Sequence, residues 1–460
     1  MSGEGLEACI QKMRDAEVAG VAIDTFADLY RRLAAGETGL IAEAEIEPVE
    51  TVPDADELPD AETSELLDQA VVIKLNGGLG TSMGMTRAKS LLEAREGETF
   101  LDLIARQVFA LRERSGARVP LVLMNSFATR EDSLAALDRH SGLSADLPPD
   151  FLQSKEPKVL VEDLMPASWP PNPALEWCPP GHGDLFVALQ TSGVLAAMLD
   201  GGYRWAFVSN SDNLGAVLDP RILAWIAREQ APFVMEVADR TAADRKGGHI
   251  ARRRGEDGLV LREIAQTPEA DLEAFQDTSR HRFFNTNTIW FDLRVVADEL
   301  ERRGGVLGLP LIRNRKTLDP SDPASPEVFQ IETAMGAALG VIGGAQALRV
   351  PRDRFAPVKT TNDLLALRSD AYEVAGDGRI VLVAQRDGSP PQVDLDPEFF
   401  KLVGDFEPRV AAGAPSLRDC ERLVVRGDVT FGADVVVRGD VEIEAHGGPV
   451  HLADGTVLEG

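Results

Sequence analysis

VVIKLNGGLGTSMGMTRAKS, residues 71–90, carries an apolar strand pattern straight into a segment of four glycines, two threonines, two serines and the lysine Lys89. A buried strand that ends in bare backbone presents amide N–H groups with no Cβ in the way, so a ligand can come close. Successive N–H groups form a concavity suited to an anion, and Lys89 adds a point charge beside it. Asn76, Gly77 and Gly78 stand where a flat base could press, and Gly80 to Gly84 where phosphates could be wrapped. A P-loop would need GxxxxGK[ST], yet no lysine follows Gly84 directly. A dinucleotide fold would need GxGxxG opening a helix at once. Here Gly78, Gly80 and Gly84 give GxGxxxG, and the next helical pattern starts near Thr99. Taken alone, the loop also fits a plain tight turn.

Outward from this loop, strand and helix patterns alternate from about residue 70 to 300. TFLDLIARQVFALRERSG is amphipathic, with Thr99 as N-cap and Asp102 three residues on; TREDSLAALDRH repeats the T-x-x-D start. VPLVLMNS, YRWAFVSNSDNLGA and PFVMEVADRT are strand-like, whereas GDLFVALQTSGVLAAML and DPRILAWIAREQ are helical. This rhythm predicts an α/β core with a mostly parallel sheet and helices on both faces. Ligands of such sheets sit at the carboxyl ends of strands, where the strand order reverses.

Residues 5–35 have helical spacing, and the acidic, proline-containing stretch 42–64 predicts a linker or a strap over the surface. From 423 the chain reads LVVRGD, VTFGAD, VVVRGD, VEIEAH, with Leu423, Val429, Val435 and Val441 at every sixth position. That period predicts a hexapeptide-repeat solenoid rather than an ordinary meander. An open solenoid end leaves strand edges unpaired, which favours contact with a second copy.

The 460 residues carry a formal net charge of −28, so adventitious binding to nucleic acid or an anionic membrane is disfavoured. Any phosphate site must be a local exception. Cys9, Cys178 and Cys420 lie far apart without CxxC spacing, so neither a zinc site nor a disulfide framework is expected. There is no basic-then-apolar leader and no apolar run of membrane-spanning length. A cytoplasmic location is the expectation.

KLNGGLGTSMG with Lys89 resembles the nucleotide loop of the eukaryotic-type UTP–glucose-1-phosphate uridylyltransferases, the UDP-glucose pyrophosphorylases. VPLVLMNSF, WCPPGHGDLF, FVSNSDNLGA, FVMEVADRTAADRKGGHI, EIAQTP, FFNTNTIW, RKTLD, QIETAMGAA, VPRDRFAPVKTTNDLL and GDVTFG follow in that family's order. The resemblance implies a glycosyltransferase-A-like nucleotidyltransferase core with a mixed, mostly parallel sheet, and a C-terminal left-handed β-helix. It divides the chain into an N-terminal helical region and acidic linker (1–64), a catalytic core (65–365), a connecting region (366–419) and a short β-helix (420–460). It implies UTP and glucose-1-phosphate as substrates, UDP-glucose and pyrophosphate as products, and Mg²⁺ as cofactor. Related UDP-sugar or UDP-N-acetylhexosamine pyrophosphorylases, and a non-catalytic nucleotide-binding scaffold, are the alternatives. The N-acetylhexosamine enzymes typically have an arginine after the loop's threonine, where this chain has Ser82. One departure is Thr86-Arg87-Ala88-Lys89 where the family often has Lys-Gly-Pro-Lys.

The reaction needs no enzyme nucleophile, because a sugar-phosphate oxygen displaces pyrophosphate from the α-phosphorus in line. It needs an amide cradle, a few lysines and a carboxylate for the metal. By resemblance, Leu75, Asn76, Gly77 and Gly78 meet the uridine, and Gln153 and Gly181 read the uracil. Lys89 and Lys359 would neutralise the phosphates. Asp212, after the strand WAFVS, would hold Mg²⁺, a hard cation that takes carboxylate and phosphate oxygens. His182, Asn210, Glu236, Lys246, Gly248, Asn285, Asn287 and Glu332 would bind the sugar phosphate. From the residues alone, Asp212 at the carboxyl end of a strand suits a metal carboxylate somewhat better than an Asx-turn, and His182 fits a backbone-bonded turn histidine. Gln153 equally fits a capped loop; Lys246, Lys316 and Lys359 are further candidates for phosphate charge, each of which on so acidic a surface also fits a solvated lysine. The apolar approach RFAPV predicts partial burial of Lys359.

Overall fold

The structure is a computed structural model that describes residues 2–241 and 244–460. Its central sheet runs, in spatial order, Asp150–Leu152, Leu121–Asn125, Ala70–Asn76, Trp205–Asn210, Phe283–Asp292, His249–Arg253 and Ile46–Pro48. The first four strands are parallel. Phe283–Asp292 runs antiparallel to Trp205–Asn210 and to Phe233–Asp239, so the sheet is mixed. Phe233–Asp239 in turn pairs in parallel with Gln346–Arg349. In Ala70–Asn76 every residue but Leu75 is buried. That near-continuous apolar run is what a parallel strand covered on both faces requires; Lys74 is its one charged member.

From Ala70–Asn76 the chain steps outward through Leu121–Asn125 to Asp150–Leu152. It then returns to lay Trp205–Asn210 on the other side of Ala70–Asn76. The reversal of strand order therefore falls between Ala70–Asn76 and Trp205–Asn210. Their carboxyl ends carry the glycine loop and Asp212.

The helix Phe100–Ser115 starts where the capping pattern placed it. Asp102 N–H donates to Thr99 Oγ1 at 3.2 Å, and Thr99 N–H donates to Asp102 Oδ2 at 2.9 Å. The second T-x-x-D differs. Thr129 precedes Arg130–Leu137, but its Oγ1 accepts from Ser126 N–H at 2.9 Å and caps nothing. GDLFVALQTSGVLAAML is two helices, Leu185–Thr191 and Val194–Asp200, broken at Gly193 with φ +77°.

The N-terminal helices Ser2–Asp15 and Gly20–Ala34 pack Phe26 and Tyr30 against Val159, Leu311 and Ile331. The acidic stretch is more than a linker: Ile46–Pro48 pairs with Ala251–Arg253 as an edge strand of the main sheet. Among the described residues no helix is long and apolar enough to cross a membrane.

At the C-terminus, Gln392–Leu395, Ser416–Arg426, Val436–Glu444 and Val457–Glu459 stack in parallel. Val429–Phe431 stacks in parallel on Val450–Leu452. Leu423 lies opposite Val441, so three six-residue units complete one turn of the stack. The side chains of Leu423, Val429, Val435 and Val441 are all buried. The stack opens at Gln392, well before the expected boundary at 420, because that strand pairs with Arg422–Val425.

Truncating Leu423, at 0% exposure, removes part of this interior. Leu423→Ala is expected to destabilise the stack by about 2–5 kcal/mol. Hydrogen exchange should show faster exchange over residues 416–460, with the helix Phe100–Ser115 still protected.

Candidate active site

The glycine loop is a backbone device. After Gly77 and Gly78 the chain enters the left-handed region at Gly80 (φ +64°), makes the short turn Thr81–Met83, and leaves at Gly84 (φ +72°). Side chains with a Cβ rarely adopt these angles, so glycine is needed at both ends of the turn. The loop closes where Lys89 N–H donates to Gly78 O at 3.1 Å. Its anchors are Met83 and Ala88, both buried.

Lys89 reaches across the point of strand reversal. Its Nζ donates to Asp212 Oδ2 at 2.8 Å, with both side chains partly exposed. Asp212 Oδ1 is buried and has no hydrogen-bond partner. Ser211 N–H donates to Leu75 O at 3.1 Å, which ties the Asp212 loop to the end of the glycine-loop strand. Val358 N–H donates to Asp212 O at 3.1 Å, and Asn213 holds Arg354 O at 3.1 Å and Ala356 N–H at 3.0 Å. The residue before Lys359 is thereby bonded to the Asp212 backbone, although Lys359 lies 270 positions after Lys89. The expected partial burial of Lys359 is corrected: Val358 is buried by the apolar approach, and Lys359 itself is exposed.

On the other side of the loop, the Gln153 carboxamide lies against Gly77, where an added Cβ would stand 2.6 Å from Gln153 Oε1. Gln153 N–H donates to Asn125 O at 2.8 Å, and Ser154 N–H to Asp184 Oδ2 at 2.5 Å. Burial pushes the Asp184 carboxyl up to about 7, against the bond from Ser154. The Asn76 side chain turns inward: its Nδ2 donates to Asn125 Oδ1 and Ser133 Oγ, both at 2.8 Å. Asn76 can therefore meet a ligand through its backbone only.

Gly181 (φ +78°) packs against Glu332 and Thr333, where an added Cβ would be 2.5 Å from Thr333 O. His182 Nδ1 accepts from Met335 N–H at 3.1 Å. Burial pulls its pKa down to about 4, so the ring is neutral near pH 7. With Nδ1 accepting, the proton sits on Nε2, which leaves an N–H donor for a ligand oxygen. The turn-histidine and ligand-donor readings of His182 are thus compatible, one at each ring nitrogen.

Asn287 Nδ2 donates to Asn210 Oδ1 at 3.1 Å, and Asn287 holds φ +59°. Asn287 N–H donates to Asn285 Oδ1 at 2.8 Å. Asn285 N–H donates to Gly248 O at 2.8 Å, so Asn210, Gly248, Asn285 and Asn287 form one polar wall.

Three predicted residues are not in this group. Glu236 is buried, with Arg354 on both carboxylate oxygens (2.6 and 2.9 Å) and Trp290 Nε1 at 2.8 Å. Its carboxylate, 1% exposed, is thus directed at Arg354 and Trp290 rather than at the wall of Asn210, Gly248, Asn285 and Asn287. Lys246 is exposed on the turn closed by Asp244 and Gly247. Lys316 is exposed on the strand Ile312–Thr317, with Lys158 and Cys178 as its electrostatic neighbours.

One carboxylate of the site was missed. Glu263, inside the quoted motif EIAQTP, fills the space where a Cβ on Gly248 would point. Burial raises its pKa, while a hydrogen bond from Asn285 and the charge of Lys359 lower it. Its motif was legible, but only the hairpin pairing His249 with Arg262 shows which glutamate faces Gly248.

The family model described as UTP–glucose-1-phosphate uridylyltransferase matches residues 23–438. The chain belongs to the UTP–glucose-1-phosphate uridylyltransferase family. The Solanum tuberosum UTP–glucose-1-phosphate uridylyltransferase is 41% identical over 401 residues, 86% of this chain and 82% of that protein. The Hordeum vulgare enzyme of the same name is 39% identical over 94% of this chain and 91% of its own. The crystal structure of a single-residue mutant of Leishmania major UDP-glucose pyrophosphorylase, in complex with UDP-glucose, superposes with a TM-score of 0.93. It is 46% identical and covers 99% of this chain and 98% of that one.

The contact of Gly77 with Gln153 gives a direct test. Gly77→Ala is expected to weaken UTP binding by at least about tenfold, or ~1.4 kcal/mol, in calorimetric titration with the fold retained. Gly77→Ala/Gln153→Ala removes the crowding atom and should bind UTP better than Gly77→Ala alone.

Proposed function

We infer that this chain performs the reaction of its family: it transfers UMP from UTP to glucose-1-phosphate and releases pyrophosphate, giving UDP-glucose. The observation that supports this reading is the Lys89–Asp212 pair where the strand order reverses, with the segment carrying Lys359 tied to it through Val358. An oxygen of glucose-1-phosphate attacks the α-phosphorus, its bond to phosphorus forming as the bond to pyrophosphate breaks. Both reactants are anions, so positioning and charge neutralisation supply the rate.

UTP enters with its base over Gly77 and Gly78, where Gln153 offers its carboxamide to the uracil edge. Leu75, Asn76 and Gly181 add backbone contacts around the nucleoside. The triphosphate meets the amides of the loop Gly80–Gly84 and the ammonium of Lys89. Asn210, Gly248, Glu263, Asn285 and Asn287 take the glucose hydroxyls, and His182 Nε2–H and Glu332 border the sugar phosphate. Lys359 stands on the side where the two reactants meet.

Mg²⁺ fits this donor set. Asp212 Oδ1 is an unpartnered, buried carboxylate oxygen next to the phosphate cradle. Among the described residues there is no cluster of three or more protein ligands. One carboxylate completed by phosphate oxygens and water is a common arrangement for this ion. When bound, Mg²⁺ supplies two positive charges shared among the phosphate oxygens. Asp212 would hold it, and Lys89, released from Asp212, would turn to the phosphates.

The parallel C-terminal stack, with three hexads per turn, supports a left-handed β-helix, and its edge strand Val457–Glu459 offers a surface for a second copy. Cys9, Cys178 and Cys420 are free and buried, as suits a reducing cytoplasm.

Pyrophosphate release, assayed with each nucleoside triphosphate against a panel of sugar-1-phosphates, tests the assignment; UTP with glucose-1-phosphate should be strongly preferred. Lys359→Ala should lower kcat by about 10²–10³, the usual cost of removing a preorganised donor to transition-state charge. UTP affinity should change much less. A normal kcat with a raised KM would make Lys359 a ground-state binder only.

A further inference from the structure

Lys74 lies in the middle of the strand Ala70–Asn76 and is 1% exposed. Its Nζ donates to Ser209 Oγ at 2.7 Å and to Ala216 O at 2.8 Å. Those two acceptors stand on either side of the segment 210–215, which carries Asp212. The ammonium thus bridges the end of the strand Trp205–Asn210 and the far end of the Asp212 loop.

We propose that Lys74 is a positioning residue for the uridylyl transfer, its buried ammonium clamping both ends of the Asp212 loop so that the carboxylate faces Lys89 and the substrate phosphates. This role rests on the proposed reaction.

An ordered loop would not by itself require a charge at this place. The walls around Lys74 are largely apolar, with Val72, Ile104 and Val108 in the same small cavity and the Phe207 ring 5.7 Å from Nζ. Burying an ammonium there is costly, whereas an unbranched apolar side chain would fill the same space. Burial pulls the Lys74 pKa down to about 7, assisted by the positive charge of Arg354 and opposed by Glu236 and Asp212. Arg114, Asp377 and Arg379 line the same cavity.

Other tethers already brace the loop. Gln107 Nε2 donates to Leu214 O at 2.9 Å, Asn213 binds the backbone of Arg354 and Ala356, and Gly215 packs on Asp353 O. With these in place, loss of Lys74 leaves the loop attached but frees its two ends to move relative to each other. The carboxylate is then no longer held in its place between Lys89 and the phosphates.

The test uses the full chain. Lys74→Met keeps the length of the side chain and removes its charge and both hydrogen bonds. The unfolding midpoint and the UTP affinity without Mg²⁺ should stay near wild type, within about threefold for affinity. The value of kcat should fall by at least about tenfold, and the Mg²⁺ concentration for half-maximal rate should rise. A merely structural lysine would shift the midpoint and leave kcat and the Mg²⁺ dependence alone. Ser209→Ala removes one arm of the clamp, and its smaller loss of kcat should not add to that of Lys74→Met in the double variant. A folded Lys74→Met with wild-type kcat and Mg²⁺ dependence overturns the proposal. If Lys74→Met does not fold, Ser209→Ala decides: a lowered kcat at an unchanged midpoint supports the clamp, and an unchanged kcat overturns it. Wild-type turnover is measured first. Its absence would overturn the assigned reaction and the clamp with it, whereas wild-type turnover with unaffected variants overturns the clamp alone.

Discussion

The ion pair between Lys89 and Asp212, 2.8 Å apart, joins the two loops from which the rest of the site is built. One loop follows Ala70–Asn76 and the other follows Trp205–Asn210, and these strands are neighbours only because the sheet reverses its order between them. In the protein without substrate the pair satisfies two charges that would otherwise stand uncompensated in a partly buried site. In the proposed reaction a triphosphate would replace Asp212 on Lys89, and a divalent cation would replace Lys89 on Asp212. The same pair ties the two loops together in the unliganded protein, and the proposed binding of triphosphate and Mg²⁺ would dismantle it.

Behind that pair lies a layer of buried polar groups. Arg354 holds both oxygens of Glu236, Trp290 donates to the same carboxylate, and Asn213 grips the backbone on either side of Phe355. Buried ion pairs of this kind contribute little net stability, since desolvation offsets most of their attraction. What they contribute here is placement. The segment 351–359 reaches its position through Arg354, and Val358, the residue before Lys359, meets the Asp212 backbone as a consequence. Lys359 is exposed, while the backbone that carries it is fixed by groups beneath.

Much of this was legible in the sequence because burial leaves a regular trace. The near-continuous apolar run of Ala70–Asn76 marks a strand covered on both faces, and the hexads from Leu423 mark a stack whose interior repeats. The capping pair Thr99 and Asp102 formed as spaced, whereas the same spacing at Thr129 did not, because Ser126 competes for the hydroxyl. The long helical pattern broke at Gly193, where a positive φ overrides apolar periodicity. Glu236 and Glu263 could not be told apart without the sheet. Glu236 stands in mid-strand and Glu263 just past a strand end, but the register that sets Glu236 opposite Thr288 turns it toward Arg354. The hairpin of Glu263 turns it toward Gly248 and Asn285. The acidic stretch 42–64 reads as a linker because its charges suit a solvated surface. Glu43 is instead held by Arg262, Arg280 and His281, which lie far away in sequence.

The exchange of Asp212 for phosphate on Lys89 is tested most directly by calorimetric titration of UTP into wild-type protein and into Asp212→Asn, with and without Mg²⁺. Without the ion, Asp212→Asn should bind UTP more tightly than wild type, because Lys89 is released and a negative charge beside the phosphates is gone. With Mg²⁺ the wild type should gain affinity and the variant should gain little. Weaker binding of Mg²⁺-free UTP by Asp212→Asn, or an undiminished response to Mg²⁺, would contradict the account.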